Sequence, residues 1–353
     1  MNVIDFFSGC GGLSYGFVQA GYNVIIGIDN DKAALKTFEH NHPNSEGLLL
    51  DLFRPDFIDI LDKIVNGRTV DIIVGGPPCQ GFSLTGARDS SDKRNLLFKA
   101  MFAAVDKYQP KVVVIENVPG LKTLYGGYFY NKIVSEFDSR EYQLEAKVLF
   151  APEFGIPQIR KRLVFIATRL DIKLVKHPGP IITDPNKFIT CGEAIGDLPS
   201  LMNGAASENM HYTKKAESQY AIEMRGGSEM VYNHIPTKHT DLVISVISQV
   251  PEGGNYRDLP KGVGESRKFN EAWTRYDSKL PSKTIDTGHR NHFHYKYNRV
   301  PTVRENARLQ SFPDRFVFFG TKTEQYRQVG NAVPPKLGYY IAMAIKEQIS
   351  HEK

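Results

Sequence analysis

Cysteine is scarce. The 353 residues hold three, Cys10, Cys79 and Cys191, too few and too scattered for a disulfide framework or a zinc site. No metal is therefore expected, and a reducing, intracellular setting is the default expectation. Long apolar runs are missing too: nothing approaches the ~20 residues needed to span a bilayer. The first residues, Met1 to Asp5, carry no basic region and lead straight into a strand pattern, so no signal peptide is expected. There is no internal repeat and no low-complexity tract. Charge of one sign does not dominate. Lys and Arg number 44 against 39 Asp and Glu, a formal charge of +5, which permits nucleic-acid binding without demanding it. With 41% hydrophobic and 24% charged residues, what remains is an ordinary globule. Its length suits one large α/β domain and a smaller companion.

Short β-rich runs alternate with helical patterns over residues 1–168. Val3 to Phe7 reads as a strand, followed by a glycine-rich turn and a helix to about Ala20. Asn23 to Ile28 is a second strand, with a helix over 31–41. Val70 to Val74 and Lys111 to Ile115 are continuous apolar runs, as parallel strands covered on both faces require, and Arg162 to Ala167 is another. This alternation predicts a doubly wound α/β sheet, with ligands at the carboxyl ends of its strands. Residues 170–300, rich in Gly, Pro, Asn and Tyr, show no sustained period and read as a second domain of irregular strands and loops. Arg304 to Gln310 then looks helical. Pro335 to Ile345 looks like a further helix whose apolar face packs back on the first domain, making the second an insertion.

Three loops carry chemistry. Asp5-Phe6-Phe7-Ser8-Gly9-Cys10-Gly11-Gly12-Leu13 runs from strand into glycines and then helix, the arrangement that lets backbone amides approach a ligand. Its spacing departs from G-x-G-x-x-G, which weighs against a nicotinamide cofactor. Asp29 ends the second strand, where it can bind a ribose diol, and Asp51 ends the third. The alternative is a bare tight turn with helix-capping acids. The second loop, Gly75-Gly76-Pro77-Pro78-Cys79-Gln80-Gly81-Phe82-Ser83, holds a cysteine on a stiff approach at the carboxyl edge. Core cysteines do not normally sit in Pro-Pro-Cys loops. The third is Ile115-Glu116-Asn117-Val118-Pro119-Gly120. Glu116 closes an all-apolar strand and should point into the same cleft, placed for general-acid work; a solvated strand-end acid is the alternative. In Gln158-Ile159-Arg160-Lys161-Arg162, alternation predicts that Arg160 and Arg162 project to one face, to hold a phosphate or steady a base.

Taken in order, these segments resemble the cytosine-5 DNA methyltransferase family, of the bacterial restriction-modification type, over nearly all of the chain except the middle of the second domain. They are Asp5 to Leu13, Pro77-Pro78-Cys79-Gln80, Glu116-Asn117-Val118, Gln158 with Arg160 and Arg162, Arg304-Glu305-Asn306-Ala307-Arg308-Leu309-Gln310, and Gln328 to Pro335. Two positions are looser: Asp29 stands where Glu is frequent, and Cys10 sits within the glycine loop.

The resemblance implies a Rossmann-like fold using S-adenosylmethionine. Residues 1–180 would form the catalytic domain, 181–300 an inserted target-recognition domain, and 301–353 a return segment. It assigns the cofactor to Phe7, Ser8, Gly9, Gly11, Gly12, Leu13, Asp29, Asp51, Pro78 and Leu97, with Asn331 and Val333 closing the pocket. It makes Cys79 the nucleophile and Glu116 the acid, with Arg160 and Arg162 steadying the base and Arg162 helping the thiolate form. Double-stranded DNA is the implied partner, bound by a cytoplasmic monomer that works beside a cognate restriction endonuclease. Residues 201–300 hold 14 Lys/Arg, 11 Asp/Glu and six of the ten histidines. Within them His289 to Arg299 interleaves cations and aromatics as groove and phosphate contacts require. Gln80, Ser83, Arg290, Lys296 and Arg299 are thus the expected DNA contacts. The rival readings are a tRNA cytosine methyltransferase with the same catalytic apparatus, a non-catalytic DNA-binding relative, and a nicotinamide-dependent oxidoreductase.

Overall fold

The structure, a computed structural model, describes residues 1–78, 97–201, 208–265, 272–288 and 291–349. Cys79, Gln80, Ser83 and Arg290 lie outside the described residues. The chain divides into two compact units. One comprises Met1–Phe150, Lys161–Pro180 and Pro335–Lys353; the other comprises Ala151–Arg160 and Ile181–Pro334. Residues 151–160 and 301–334, grouped with the first domain in the sequence reading, thus pack with the second unit. No helix among the described residues is long and apolar enough to cross a membrane.

Among its described residues the first unit is built on seven strands. They are β1 (Asn2–Phe6), β2 (Asn23–Asp29), β3 (Glu46–Leu49), β4 (Ile72–Gly75), β5 (Val112–Asn117), β6 (Tyr142–Phe150) and β7 (Lys161–Arg169). Helices α1 (Gly12–Gln19), α2 (Lys32–Asn41), α3 (Phe57–Val65), α4 (Phe98–Tyr108) and α5 (Tyr128–Asp138) lie between them. The spatial order is β3-β2-β1-β4-β5-β7-β6. β1 to β5 pair in parallel, while β7 runs antiparallel between β5 and β6. β4 and β5 are buried at every position, which is why they read as unbroken apolar runs. The sequence reading missed β6. As the edge strand it is only partly buried and carries Gln143, Glu145 and Lys147, so no apolar run marks it. Asp51 lies two residues beyond β3 rather than at its end.

Strand order reverses at β1. From there the chain moves outward to β2 and β3, then returns to place β4 on the other side. A reversal of this kind opens a crevice above the carboxyl ends of the two central strands. The loops after β1 and β4 both leave there, with the end of β5 one strand away. Because β7 is antiparallel, its beginning comes to this same edge: Glu116 pairs with Val164 and Asn117 with Leu163.

Among its described residues the second unit contains only short elements. These are α6 (Cys191–Ile195), β8 (Asn209–His211), α7 (Gln219–Arg225), β9 (Met230–Tyr232), α8 (Asp241–Ser248), β10 (Thr274–Arg275), β11 (His292–Phe293), α9 (Val303–Leu309) and α10 (Lys322–Asn331). Regular hydrogen bonding is sparse, and buried ion pairs take over part of its work. Arg308 donates to Asp314 at 2.6 Å and to Asp197 at 2.9 Å. Arg304 donates to the carbonyls of Tyr232, Pro313 and Phe316. Arg299 makes two 2.7 Å bonds to Glu305 and is 7% exposed. This corrects the expectation that Arg299 contacts DNA, because its guanidinium is committed to the interior.

The last helix, α11 (Pro335–Ile349), returns to the first unit and lies against α1. The contact is backbone to backbone. A Cβ on Gly16 would stand 2.3 Å from the Tyr339 nitrogen and 2.4 Å from the Pro335 oxygen; one on Gly338 would stand 2.6 Å from the Leu13 oxygen. Tyr22 Oη donates to the Ala342 carbonyl at 3.0 Å and Lys346 Nζ to the Ala20 carbonyl at 2.8 Å.

Two stability effects follow from these contacts. Gly16→Ala gains up to about 1 kcal/mol of helix propensity, but the new methyl meets backbone that cannot step aside, so a net loss of about 2 kcal/mol is expected in urea denaturation. A neutral or stabilising result would refute the close approach. Arg299→Ala strands a buried carboxylate, and a loss of about 3 kcal/mol is expected. Unchanged stability together with weakened DNA binding would instead return Arg299 to the surface.

Candidate active site

The glycine loop leaves β1 with Phe7 at φ 57°, followed by Gly9 at +54° and Gly11 at +89°. A phenylalanine in the left-handed region is strained and persists only where its surroundings enforce it. Here the Ser8 N–H donates to the Ile28 carbonyl, the Gly11 N–H to the Ser8 carbonyl, and the Gly9 N–H to Asp29 Oδ2 at 2.8 Å. Asp29 Oδ1 accepts from the Asp31 N–H at 2.9 Å. Asp29 is thus a clamp on the loop as well as the acid at the end of β2. Burial is the main force that raises its pKa, opposed by these backbone N–H groups. A Cβ on Gly9 would meet nothing within 4 Å, whereas one on Gly11 would lie 2.4 Å from His42 Cε1. The loop is therefore open above Gly9 and closed beneath Gly11. That open cradle, with a carboxylate at its side, leaves room for a ligand that carries hydroxyl groups to the end of β2.

The other expected cofactor residues of this unit fall into two groups. Gly12 and Leu13 start α1, and Phe7, Pro78 and Leu97 are partly buried. Asp51 is exposed; one of its oxygens accepts from the Phe53 N–H at 2.9 Å and the rest of the carboxylate faces solvent. Asn331 and Val333 belong to the second unit, the first exposed and the second buried.

At the end of β5, Glu116 is 8% exposed. Its Oε1 lies 2.6 Å from Arg162 Nε, and a Cβ on Gly76 would lie 3.1 Å from its Oε2. The carboxylate therefore rests directly on the loop that leads into Pro77, Pro78 and Cys79. Asn117 ties the same loop down: its Nδ2 donates to the Pro77 carbonyl at 3.1 Å, and its Oδ1 accepts from the Val118 N–H at 2.8 Å. The sequence reading gave Asn117 no role. Its signal was a second polar residue closing an otherwise apolar strand. Arg162 also donates to the Lys161 carbonyl at 2.8 Å. Burial lowers the pKa of its guanidinium, and Glu116 opposes that fall. Arg162 was expected to help the Cys79 thiolate form; Cys79 lies outside the described residues, and the acidic partner of Arg162 among them is Glu116.

Arg160 and Arg162, expected on one face, fall in different units and have different partners. β7 begins only at Lys161, and Arg160 packs into the second unit at 1% exposure. It donates to the carbonyls of Gly330 at 2.9 Å, Ala332 at 3.1 Å and Ile285 at 3.3 Å. Gln310 Nε2 donates to the same Ala332 oxygen at 2.6 Å, and Gln158 Nε2 donates to Gln310 Oε1. Three sequence segments, around Gln158, Gln310 and Asn331, thereby become one buried polar clasp. Arg160 sets the course of the turn at 330–332.

In the basic-aromatic stretch, His294 is buried. Its Nδ1 accepts from the N–H groups of Lys296 and Tyr297, making a tight turn. Lys296 is exposed on that turn, its ammonium 5.8 Å from the Tyr297 ring.

The C-5 cytosine-specific DNA methylase family matches residues 1–347. The type II methyltransferase M.DdeI of Desulfomicrobium norvegicum is 36% identical over 99% of this chain and 88% of its own length. The type II methyltransferase M1.HphI of Haemophilus parahaemolyticus is 37% identical over 100% of this chain and 88% of its own. Among solved structures, a prophage-encoded protein from E. coli, assigned as a DNA modification methyltransferase, superposes with a TM-score of 0.80. It is 28% identical and covers 99% of both chains. A Dnmt2 methyltransferase from S. pombe, at 18% identity and a TM-score of 0.59, shares the fold. A match along almost the whole sequence, joined to relatives above 30% identity at full coverage, establishes that this chain belongs to the C-5 cytosine-specific DNA methylase family.

Proposed function

We propose that this DNA cytosine methyltransferase acts through a covalent adduct between Cys79 and C6 of a cytosine flipped out of a specific duplex sequence, with S-adenosylmethionine as donor. The observation that carries this is the Glu116 carboxylate, seated on Gly76 and paired with Arg162 at the carboxyl edge where the open glycine loop also lies. Gly9, Gly11, Gly12, Leu13, Ser8 and Phe7 would cradle the donor. Asp29 and Asp51 would serve its ribose, and Pro78 and Leu97 its base; Asn331 and Val333 would close it. When bound, S-adenosylmethionine supplies a methyl group on a cationic sulfur.

Carbon 5 of cytosine is too weak a nucleophile to take that methyl unaided. The Cys79 thiolate forms a bond to C6, pushing an electron pair into the ring, and N3 takes a proton from Glu116. Arg162 stays beside the carboxylate left behind. C5, now enamine-like, bonds to the methyl carbon as that carbon's bond to sulfur breaks and S-adenosylhomocysteine leaves. Water then takes the C5 proton, the pair left behind re-forms the C5–C6 double bond as the C6–S bond breaks and Cys79 departs as thiolate, and N3 returns its proton to Glu116. A stacked base cannot reach these groups, so flipping is required. The second unit would read neighbouring bases, with Lys296 and Arg290 as backbone or groove contacts and Gln80 and Ser83 steadying the emptied strand. Both curated relatives are named type II methyltransferases. In keeping with that, the product would be protection of the site from a partner endonuclease.

Cys79→Ala should abolish transfer to duplex DNA from labelled donor. Cys10 and Cys191 are buried, and burial pushes both thiols up, Cys10 to about 12, so their alanine variants should keep most activity. DNA with 5-fluorocytosine at the target should trap the native chain covalently, because fluorine cannot leave as the C5 proton does. Trapping that persists in Cys79→Ala, or labelling of tRNA in place of DNA, would overturn the reading. Glu116→Gln keeps size but not acidity. Turnover should fall about a hundredfold with donor affinity nearly unchanged; a collapse of donor affinity instead would put Glu116 in the donor pocket.

A further inference from the structure

Beneath the glycine loop lies a chain of polar side chains that the mechanism above does not use. Asp5, on β1, is 1% exposed and faces the side-chain hydroxyl and backbone N–H of Ser14 on α1. Its Oδ2 finds no hydrogen-bond partner among the described residues. Ser14 Oγ lies 3.3 Å from His42 Nε2 and 3.3 Å from the Gly11 carbonyl. His42, just past α2, has its Nδ1 2.9 Å from the Phe38 carbonyl and stacks on the Phe38 ring at 4.2 Å. The same imidazole is the surface that leaves no room for a Cβ on Gly11.

Donor and acceptor counting fixes the protons. A carbonyl only accepts, so the proton of His42 sits on Nδ1, and Nε2 needs a donor. Ser14 has one hydroxyl proton. If Asp5 is ionised, that proton goes to the carboxylate and Nε2 is left bare. If Asp5 is protonated, its O–H donates to Ser14, Ser14 donates to Nε2, and Nδ1–H donates to Phe38, so every proton of the chain has an acceptor and the unpartnered Oδ2 belongs to a neutral group. We propose that Asp5 is a positioning residue acting as a neutral acid, the head of an Asp5–Ser14–His42 hydrogen-bond chain that braces the turn from Gly9 to Gly12. This rests on that turn being the donor cradle.

The surroundings agree. Burial, with the Asp29 carboxylate adding to it, pushes Asp5 up to about 7 despite its bonds to Ser14, and burial lowers His42 to about 4. The other titratable groups facing this region are the Cys10 thiol, Tyr15, whose ring packs edge-on against His42 at 5.7 Å, and, beyond Asp29, Asp31. None supplies a positive charge.

Because Asp5 holds its proton more tightly folded than unfolded, the native chain loses stability relative to Asp5→Asn as pH rises from about 4 to about 7. Thermal melting should show the variant's advantage growing across pH 5–7 and level above 7. With S-adenosylhomocysteine as probe, native affinity should fall by up to about tenfold between pH 7 and 8, the limit for one linked proton. Asp5→Asn, whose amide still donates to Ser14, should bind with a flat profile. Ser14→Ala, buried and out of reach of the probe, should weaken binding at both pH values and serves if Asp5→Asn does not fold. A melting difference that is constant or shrinks with pH overturns the neutral acid. So does tenfold loss of probe binding by Asp5→Asn at all pH, which marks a carboxylate touching the ligand. If the native chain binds no probe at any pH, the cradle reading fails, and melting still decides the state of Asp5.

Discussion

The pairing of β1 with β4, Val3 on Ile72 through Phe6 on Gly75, is the constraint from which the site follows. Two strands some seventy residues apart in sequence end level with each other, and the loops leaving them must share one crevice. One loop bends through three left-handed residues and the other through consecutive prolines, so neither can continue upward as strand. β5 then brings a carboxylate to the same edge. The antiparallel β7 brings the arginine that holds it, since only a strand running the other way begins where β5 ends.

The second unit solves a different problem. With two- and three-residue strands it cannot rely on ladders, and it places arginines where a regular fold would place leucines. Arg160, Arg304 and Arg308 are among its most buried side chains. Desolvating such charges is costly, and the geometry must be close to ideal to offset it. The two-pronged Arg299–Glu305 contact and the Arg308 bonds to both Asp197 and Asp314 supply that geometry. An apolar core tolerates sliding. Fork-to-carboxylate contacts do not, so the long irregular loops are held in one arrangement.

How much of this the sequence showed depended on the kind of signal. The parallel strands were legible because burial on both faces writes an unbroken apolar run, and the glycine and Glu-Asn loops were legible because each follows such a run directly. β6 was not, since an edge strand keeps polar residues. The arginines misled for a common reason: sequence records that a cation is present and not whether it faces water. Arg299 read as a DNA contact, and Arg160 as a group that holds a phosphate or steadies a base. Both are buried struts whose partners, Glu305 and the carbonyls of Gly330 and Ala332, no local pattern announces. His42 gave no warning at all, because what matters about it is the missing Cβ of a glycine thirty-one residues earlier.

The touching glycines of α1 and α11 have a consequence in time. Gly16 is made more than three hundred residues before Gly338. Throughout that interval the helix that follows the glycine loop has one flank bare, while the whole of the second unit is synthesised. A contact of such long sequence separation forms late, since the chain must order much of itself before the gain arrives. A nascent chain on the ribosome therefore carries the whole second unit before α11 can cover α1, and the turn that starts α1 gains its last support only after that unit has been made.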